Sequence, residues 1–249
     1  MTGDMLLLGV IGFVAQLVDG ALGMAFGIIS NAAMLTMGLP PAQASAIVHT
    51  AEVFTTAGSA ASHVYHRNVD WRLVVRLGIP GALGAAAGAT LLSNIDARVG
   101  RPFIAVYLLV MGVLILRSAA RGLVQRQIPS GWTPFLGLGG GFLDASGGGG
   151  WGPLVTSTLI GFGHMPRTTI GSVNTTEFFV TLAAATTFFI ELGAAPIYQL
   201  SALIAGGLLA APLSGWAAKR VRPRLLMTLV GVVVIALALW QLARSFGLV

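Results

Sequence analysis

The sequence predicts an all-α membrane protein. It has two inverted tandem repeats, each a broken or re-entrant helical hairpin followed by three transmembrane helices. Three observations predict it. The 249 residues are 55% hydrophobic and only 9% charged, whereas soluble domains carry about a quarter charged residues. Apolar runs of about 20 residues, enough to cross a bilayer as helices, recur from end to end. The chain also repeats itself at an offset of 125 residues.

Six apolar runs are simple: 42–63, 73–93, 102–116, 168–190, 196–218 and 225–243. Two more, 5–38 and 131–163, are longer. As one straight helix the latter would measure about 50 Å, too long for a hydrocarbon core of about 30 Å. Each long run should therefore turn back on itself. Trp71, Trp132 and Tyr198 stand near run ends as interface anchors. No signal peptide is evident, and no segment is long and polar enough for a soluble domain. With no cysteine there is no disulfide or thiolate site. No metal ligand set, cofactor motif or catalytic constellation stands out, so an enzyme is not expected.

The net charge of +6 reads as topology rather than nucleic-acid binding, because cytoplasmic loops of membrane proteins are rich in Lys and Arg. Arg67, Arg72, Arg76, Arg117, Arg121, Arg126, Arg167, Lys219, Arg220, Arg222 and Arg224 are placed inside, and Arg98, Arg101 and Arg244 outside. This puts both termini in the periplasm of an inner-membrane protein. Run 42–63 then crosses outside to inside, and run 168–190 the reverse.

The offset of 125 aligns Gly12 with Gly137, Asp19 with Asp144, Gly23 with Gly148, Gly27 with Gly152 and Gly38 with Gly163. It also aligns Pro41 with Pro166, Val48 with Val173, Thr50 with Thr175, Glu52 with Glu177 and Phe54 with Phe179. Membrane composition alone would match some Gly and Val. It would not readily align two Asp and two Glu. The first repeat spans 1–122 and the second 123–249. Inverted repeats around a site near the bilayer midplane are a recurrent transporter plan.

The segment Asp144-Ala-Ser-Gly-Gly-Gly-Gly-Trp-Gly-Pro153 is the least helical in the chain. Non-helical backbone at membrane depth is tolerated where it is buried in protein or lines a cavity. Pro153 suits the first turn of a half-helix running to about 163. The free N–H groups there, with Ser146, Gly147, Gly148, Gly149, Gly150 and Trp151, would cradle an anion without a basic side chain. Gly23 and Met24 hold the related place in the first half. Small residues also serve plain helix packing, which is the reading for Gly81, Gly84 and Gly88.

Asp19, Asp144, Glu52 and Glu177 fall inside the apolar runs or beside the breaks, where charge is expensive and usually functional. His49 and Glu52 share one helix face, as do Asn174 and Glu177. Thr50 and Thr175 stand beside them. The glutamates are either proton carriers or hydrogen-bonded supports for the broken backbone of the opposite half. The aspartates either act or cap the breaks. His63, His66 and His164 lie near loops, where a solvated role is expected.

The stretches VDGALGMAFG with GLPPAQASAIVHTAE, and LDASGGGGWGP with GFGHMPRTTIGSVNTTE, resemble the sulfite exporter TauE/SafE family. The resemblance implies a two-repeat inner-membrane transporter of sulfite or a small organosulfonate anion, working outward, with the bilayer as its surroundings. Met24-Ala-Phe26 replaces a glycine cluster in the first break. A cation channel or cation-coupled carrier built on the four carboxylates is the alternative. An intramembrane aspartyl protease would need a Gly-x-Gly-Asp signature, which Asp144 lacks. The sequence leaves open whether the chain dimerises.

Overall fold

The computed structural model describes residues 2–22, 24–121, 130–162, 164–220 and 222–248. Gly23 and Arg126 lie outside the described residues, as do the side chains of Arg121, Lys219 and Arg220. Ten α-helices follow one another, with no strand among the described residues: α1 (Thr2–Leu22), α2 (Phe26–Thr36), α3 (Pro41–Tyr65), α4 (Trp71–Asn94), α5 (Ala97–Arg121), α6 (Thr133–Gly147), α7 (Ser157–Gly161), α8 (Pro166–Leu192), α9 (Ile197–Arg220) and α10 (Pro223–Ser245). A single π-helical stretch, Gly152–Thr156, leads into α7.

Local chemistry sets the helix starts. Pro41, Pro166 and Pro223 begin α3, α8 and α10, at positions whose N–H would have no intrahelical partner anyway. Asp70 caps α4 by accepting from the Arg72 and Leu73 N–H groups. Each simple apolar run lies on one helix, and each long run is broken in two. At 1.5 Å per residue, α2 spans about 16 Å, which cannot cross a hydrocarbon core of about 30 Å. The segment from Gly152 to Gly161 is shorter still. Both short halves sit inside the bundle: Phe26, Ile28, Asn31 and Met34 are buried on one, and Val155, Thr156 and Leu159 on the other.

Among the described residues, four helices are long and apolar enough to cross a membrane: residues 71–94, 97–120, 167–192 and 227–245. Their outer faces are greasy. Ile79, Leu83, Val110, Phe189 and Val232 are all exposed, which suits a lipid-facing wall.

The helices pack in reciprocal pairs. α1 lies against α9 and α6 against α4, while α3 meets α8 and α5 meets α10. Glycines set the approach, as small residues do in membrane bundles. A Cβ on Gly84 or Gly88 would overlap the Leu138 or Phe142 carbonyl of α6. On Gly137 it would overlap the Leu77 carbonyl, and on its repeat partner Gly12 the Leu203 carbonyl.

Candidate functional site

The site is built on the two breaks. After Gly147 the chain passes through Gly148 (φ 76°), Gly149 (φ 119°) and Gly150 (φ 139°) before the half-helix begins. Side chains rarely enter this left-handed region, so three glycines in sequence make the turn possible. In the first break that conformation falls to Ala25, at φ 107°.

Each break is capped by its own aspartate. Trp151 N–H donates to Asp144 Oδ1 at 2.8 Å. At the equivalent place, Phe26 N–H approaches Asp19 Oδ1 at 3.4 Å, a longer and weaker bond. A carboxylate that takes the first free N–H of a half-helix also suits its positive end. Asp144 thus sits in a capping position at the second break, and Asp19 more loosely at the first.

Asp144 reaches further. Its Oδ2 lies 3.2 Å from His49 Nε2 on α3, with both side chains buried. His49 Nδ1 lies 2.8 Å from the Ser45 carbonyl, which can only accept. Nδ1 therefore carries a proton. The Nε2–Oδ2 contact then needs one more, held either on the imidazole or on the carboxyl. Ser45 Oγ donates to the Ala145 carbonyl at 2.9 Å. Through this pair α3 is tied to the second break.

A Cβ built on Gly27 in α2 would lie 2.7 Å from Glu52 Oε1, so the Glu52 carboxyl sits against the first break, where Gly27 also meets Gly149 of the second. Glu52 Oε2 has no partner in the structure. Glu177, at the equivalent place on α8, makes no side-chain hydrogen bond among the described residues, though it is buried. Glu177 lies within electrostatic range of Asp19, Glu52 and Asp144, so the fold gathers all four carboxyls around the breaks.

The remaining sequence candidates divide. Asn174 turns away from the breaks, donating to Ser59 Oγ at 3.1 Å and lying 3.4 Å from His63 Nε2. His63 is therefore engaged rather than merely solvated. The hydroxyls of Ser146, Thr50 and Thr175 donate to the carbonyls of Phe142, Ala46 and Gly171 on their own helices. Thr50 also borders an apolar pocket of about 430 Å³ between α3, α8 and the start of α9. Trp151 is wholly buried, with its indole N–H given to the Val173 carbonyl at 3.3 Å. Its ring packs against Gly81 and Gly140. Met24 is buried in the first break.

The glycine faces are filled. A Cβ on Gly148 would strike the Asn31 amide, and on Gly147 or Gly150 the Tyr107 ring or hydroxyl. One on Gly149 would overlap the backbone of Gly27 and Ile28. The two breaks therefore touch each other, and in this conformation protein occupies the space expected for a ligand.

Sequence reasoning missed Asn31 and Tyr107, which touch the second break, and the buried hydroxyls of Ser30 and Thr156 on the segments that follow the breaks. Asn31 Nδ2 donates to the Gly147 carbonyl at 3.2 Å. Asn31 Oδ1, Ser30 Oγ, Tyr107 Oη and Thr156 Oγ1 are buried without hydrogen-bond partners. Asn31 and Thr156 are 125 apart, so the repeat itself marked them. Tyr107 carried no such signal.

The family model described as "Sulfite exporter TauE/SafE" matches residues 8–240. The chain belongs to the sulfite exporter TauE/SafE family. This TauE/SafE chain is 43% identical over 230 residues to "Probable membrane transporter protein YtnM" of Bacillus subtilis (strain 168), covering 89% of the chain and 77% of that protein. It is 29% identical over 167 residues to a "Probable membrane transporter protein" of Haemophilus influenzae, covering 63% of each. No solved structure matches. The chain is a membrane transporter of this family.

Proposed function

We propose that this chain is a secondary transporter of a small sulfur oxyanion, sulfite or an organosulfonate, moved outward across the inner membrane. The observation that carries the reading is the meeting of two aspartate-capped breaks among buried polar atoms that lack partners. Such groups are rare in native interiors. Tyr107, Thr156 and Ser30 can each donate a hydroxyl proton. An anion reaching the break would accept from them and from the half-helix N–H groups, which Gly148, Gly149 and Gly150 leave uncovered by any side chain of their own. The breaks must separate to admit it, so the closed contact is read as an occluded state.

Inverted repeats over 1–122 and 123–249 fit this reading. They account for the reciprocal packing of α1 on α9 and α6 on α4. Basic loops inside and both termini outside complete it. Labelling of a cysteine at position 121 by an impermeant reagent outside intact cells would contradict that topology.

The carboxyls would repel an anion unless neutralised. Asp144 has His49, and Asp19 and Glu52 have the first break. Glu177 is left to carry a proton with the substrate. Flux of sulfite, sulfate and a panel of sulfonates into proteoliposomes tests the substrate class. In the same vesicles Glu177→Gln should bind substrate yet lose drive from a pH gradient, because Gln cannot release a proton. Unchanged pH dependence would end the proton role. Clustering of the four carboxyls favours a second reading, a cation-coupled carrier, in which sodium or potassium would move instead.

A further inference from the structure

We propose that Arg101 and Arg244 form an oxyanion-binding site at the end of the bundle where α5 begins and α10 ends. The site is remote in sequence from the breaks and does not depend on how they work. The two guanidiniums come from helices that pack together, and both line one cleft of about 160 Å³. Thr36, Gln241 and Ser245 complete its polar wall, with Trp240 at the rim.

The cleft is held in shape by its own hydrogen bonds. Arg101 Nη2 donates to the Gly38 carbonyl at 3.1 Å, which fixes the guanidinium over the turn between α2 and α3. Gln241 Nε2 donates to the Ala32 carbonyl at 3.1 Å, and Ser245 Oγ donates to the Gln241 carbonyl at 2.8 Å. A guanidinium has five N–H donors, so most of those on Arg101 remain for a ligand. Among the described residues no carboxylate is paired with Arg101 or Arg244.

Charge decides the ligand class. The carboxyl ends of α2 and α10 lie at this cleft and contribute about half a negative charge each. Two guanidiniums exceed them by about one charge, so the cleft is positive. The volume suits a compact group, and each planar guanidinium can meet two oxygens of a sulfite, sulfate or phosphate in bidentate fashion. Sequence topology adds that basic residues are disfavoured on this side of a membrane protein. Two of the three expected there nonetheless share this cleft. Trp240, half exposed at the rim, stands in the last turns of α10, near the helix end where interfacial tryptophans serve as anchors. The oxyanion could therefore be free in solution or be the phosphate of an anionic lipid.

Full-length protein in neutral detergent, with radiolabelled sulfate in equilibrium dialysis, reads the free-anion arm. Nanodiscs of phosphatidylcholine with phosphatidylglycerol, analysed by native mass spectrometry, read the lipid arm. Arg101→Gln and Arg244→Gln should each weaken binding about tenfold or more, which is about 1.4 kcal/mol. The double change should abolish it, while Lys at both positions should keep part of it. Sulfate binding without lipid retention assigns the cleft to a free anion. Phosphatidylglycerol retained by the wild type and lost in the double variant assigns it to a headgroup. If the double variant fails to fold, the loss measured in each single variant decides in its place. Wild-type binding of both probes in the Gln variants, or binding of neither by the wild-type protein, overturns the site.

Discussion

At the residue scale, the glycines of the second break serve packing and backbone geometry together. Gly149 combines φ 119° with contact against the Gly27 backbone. A side chain there must both strain the chain and part the two breaks. Gly149→Ala should therefore cost about 1–3 kcal/mol from the backbone alone, with more from overlap. Gly139→Ala, with open space around it, should be nearly silent. Thermal unfolding in detergent compares them, and equal midpoints would refute the packing account. His49 and Asp144 make a second case. Removing one partner of such a buried pair costs about 1–3 kcal/mol where the group left behind is neutral and about 3–5 kcal/mol where it is charged. His49→Ala should be strongly destabilising, and adding Asp144→Asn should recover most of the loss. Asn keeps an oxygen for the Trp151 N–H but brings no charge. A double-mutant cycle without recovery would show that His49 stabilises by packing alone, for instance against Phe188, whose ring centroid is 5.9 Å away.

At the element scale, the two breaks share one plan with unequal execution. Each Asp caps the N–H seven residues on, and that equivalence was legible in the sequence because the offset aligns Asp19 with Asp144 and Phe26 with Trp151. The closure of the glycine faces was not legible. It depends on Asn31, Tyr107 and Gly27, residues distant in sequence. The roles of Ser146, Thr50 and Thr175 were also hidden, since a helical hydroxyl can return to the carbonyl four residues back whatever its surroundings. His49 and Asn174 align in the repeat yet bind different partners, because the neighbours at the two places differ. Ala25 takes the left-handed turn that glycine makes in the other half. Ala25→Gly should relieve that strain and stabilise the protein by about 1 kcal/mol. A lower unfolding midpoint in this variant would mean that the Ala25 methyl, which is buried, is worth more than the strain it brings.

At the scale of the whole molecule, composition and run length gave the helix order almost completely. The six simple apolar runs became α3, α4, α5, α8, α9 and α10, and the two long runs broke as their lengths required. Lipid-facing side chains on the long helices and polar groups around the breaks divide the molecule into a greasy wall and a polar centre. Burying Glu52, Asp144, Glu177, a histidine and several unpartnered hydroxyls in that centre, with Asp19 half-buried beside them, has a folding cost, which the proposed transport site would explain. The most direct test is charge movement. Purified protein in liposomes on a solid-supported membrane, exposed to a sulfite jump at constant sodium and pH, should give a transient current in the direction of anion entry. Asn31→Leu should lose that current while unfolding cooperatively. A current that ignores sulfite and sulfonates but follows a sodium or potassium jump would contradict the anion account and leave the carboxyl cluster as a cation path.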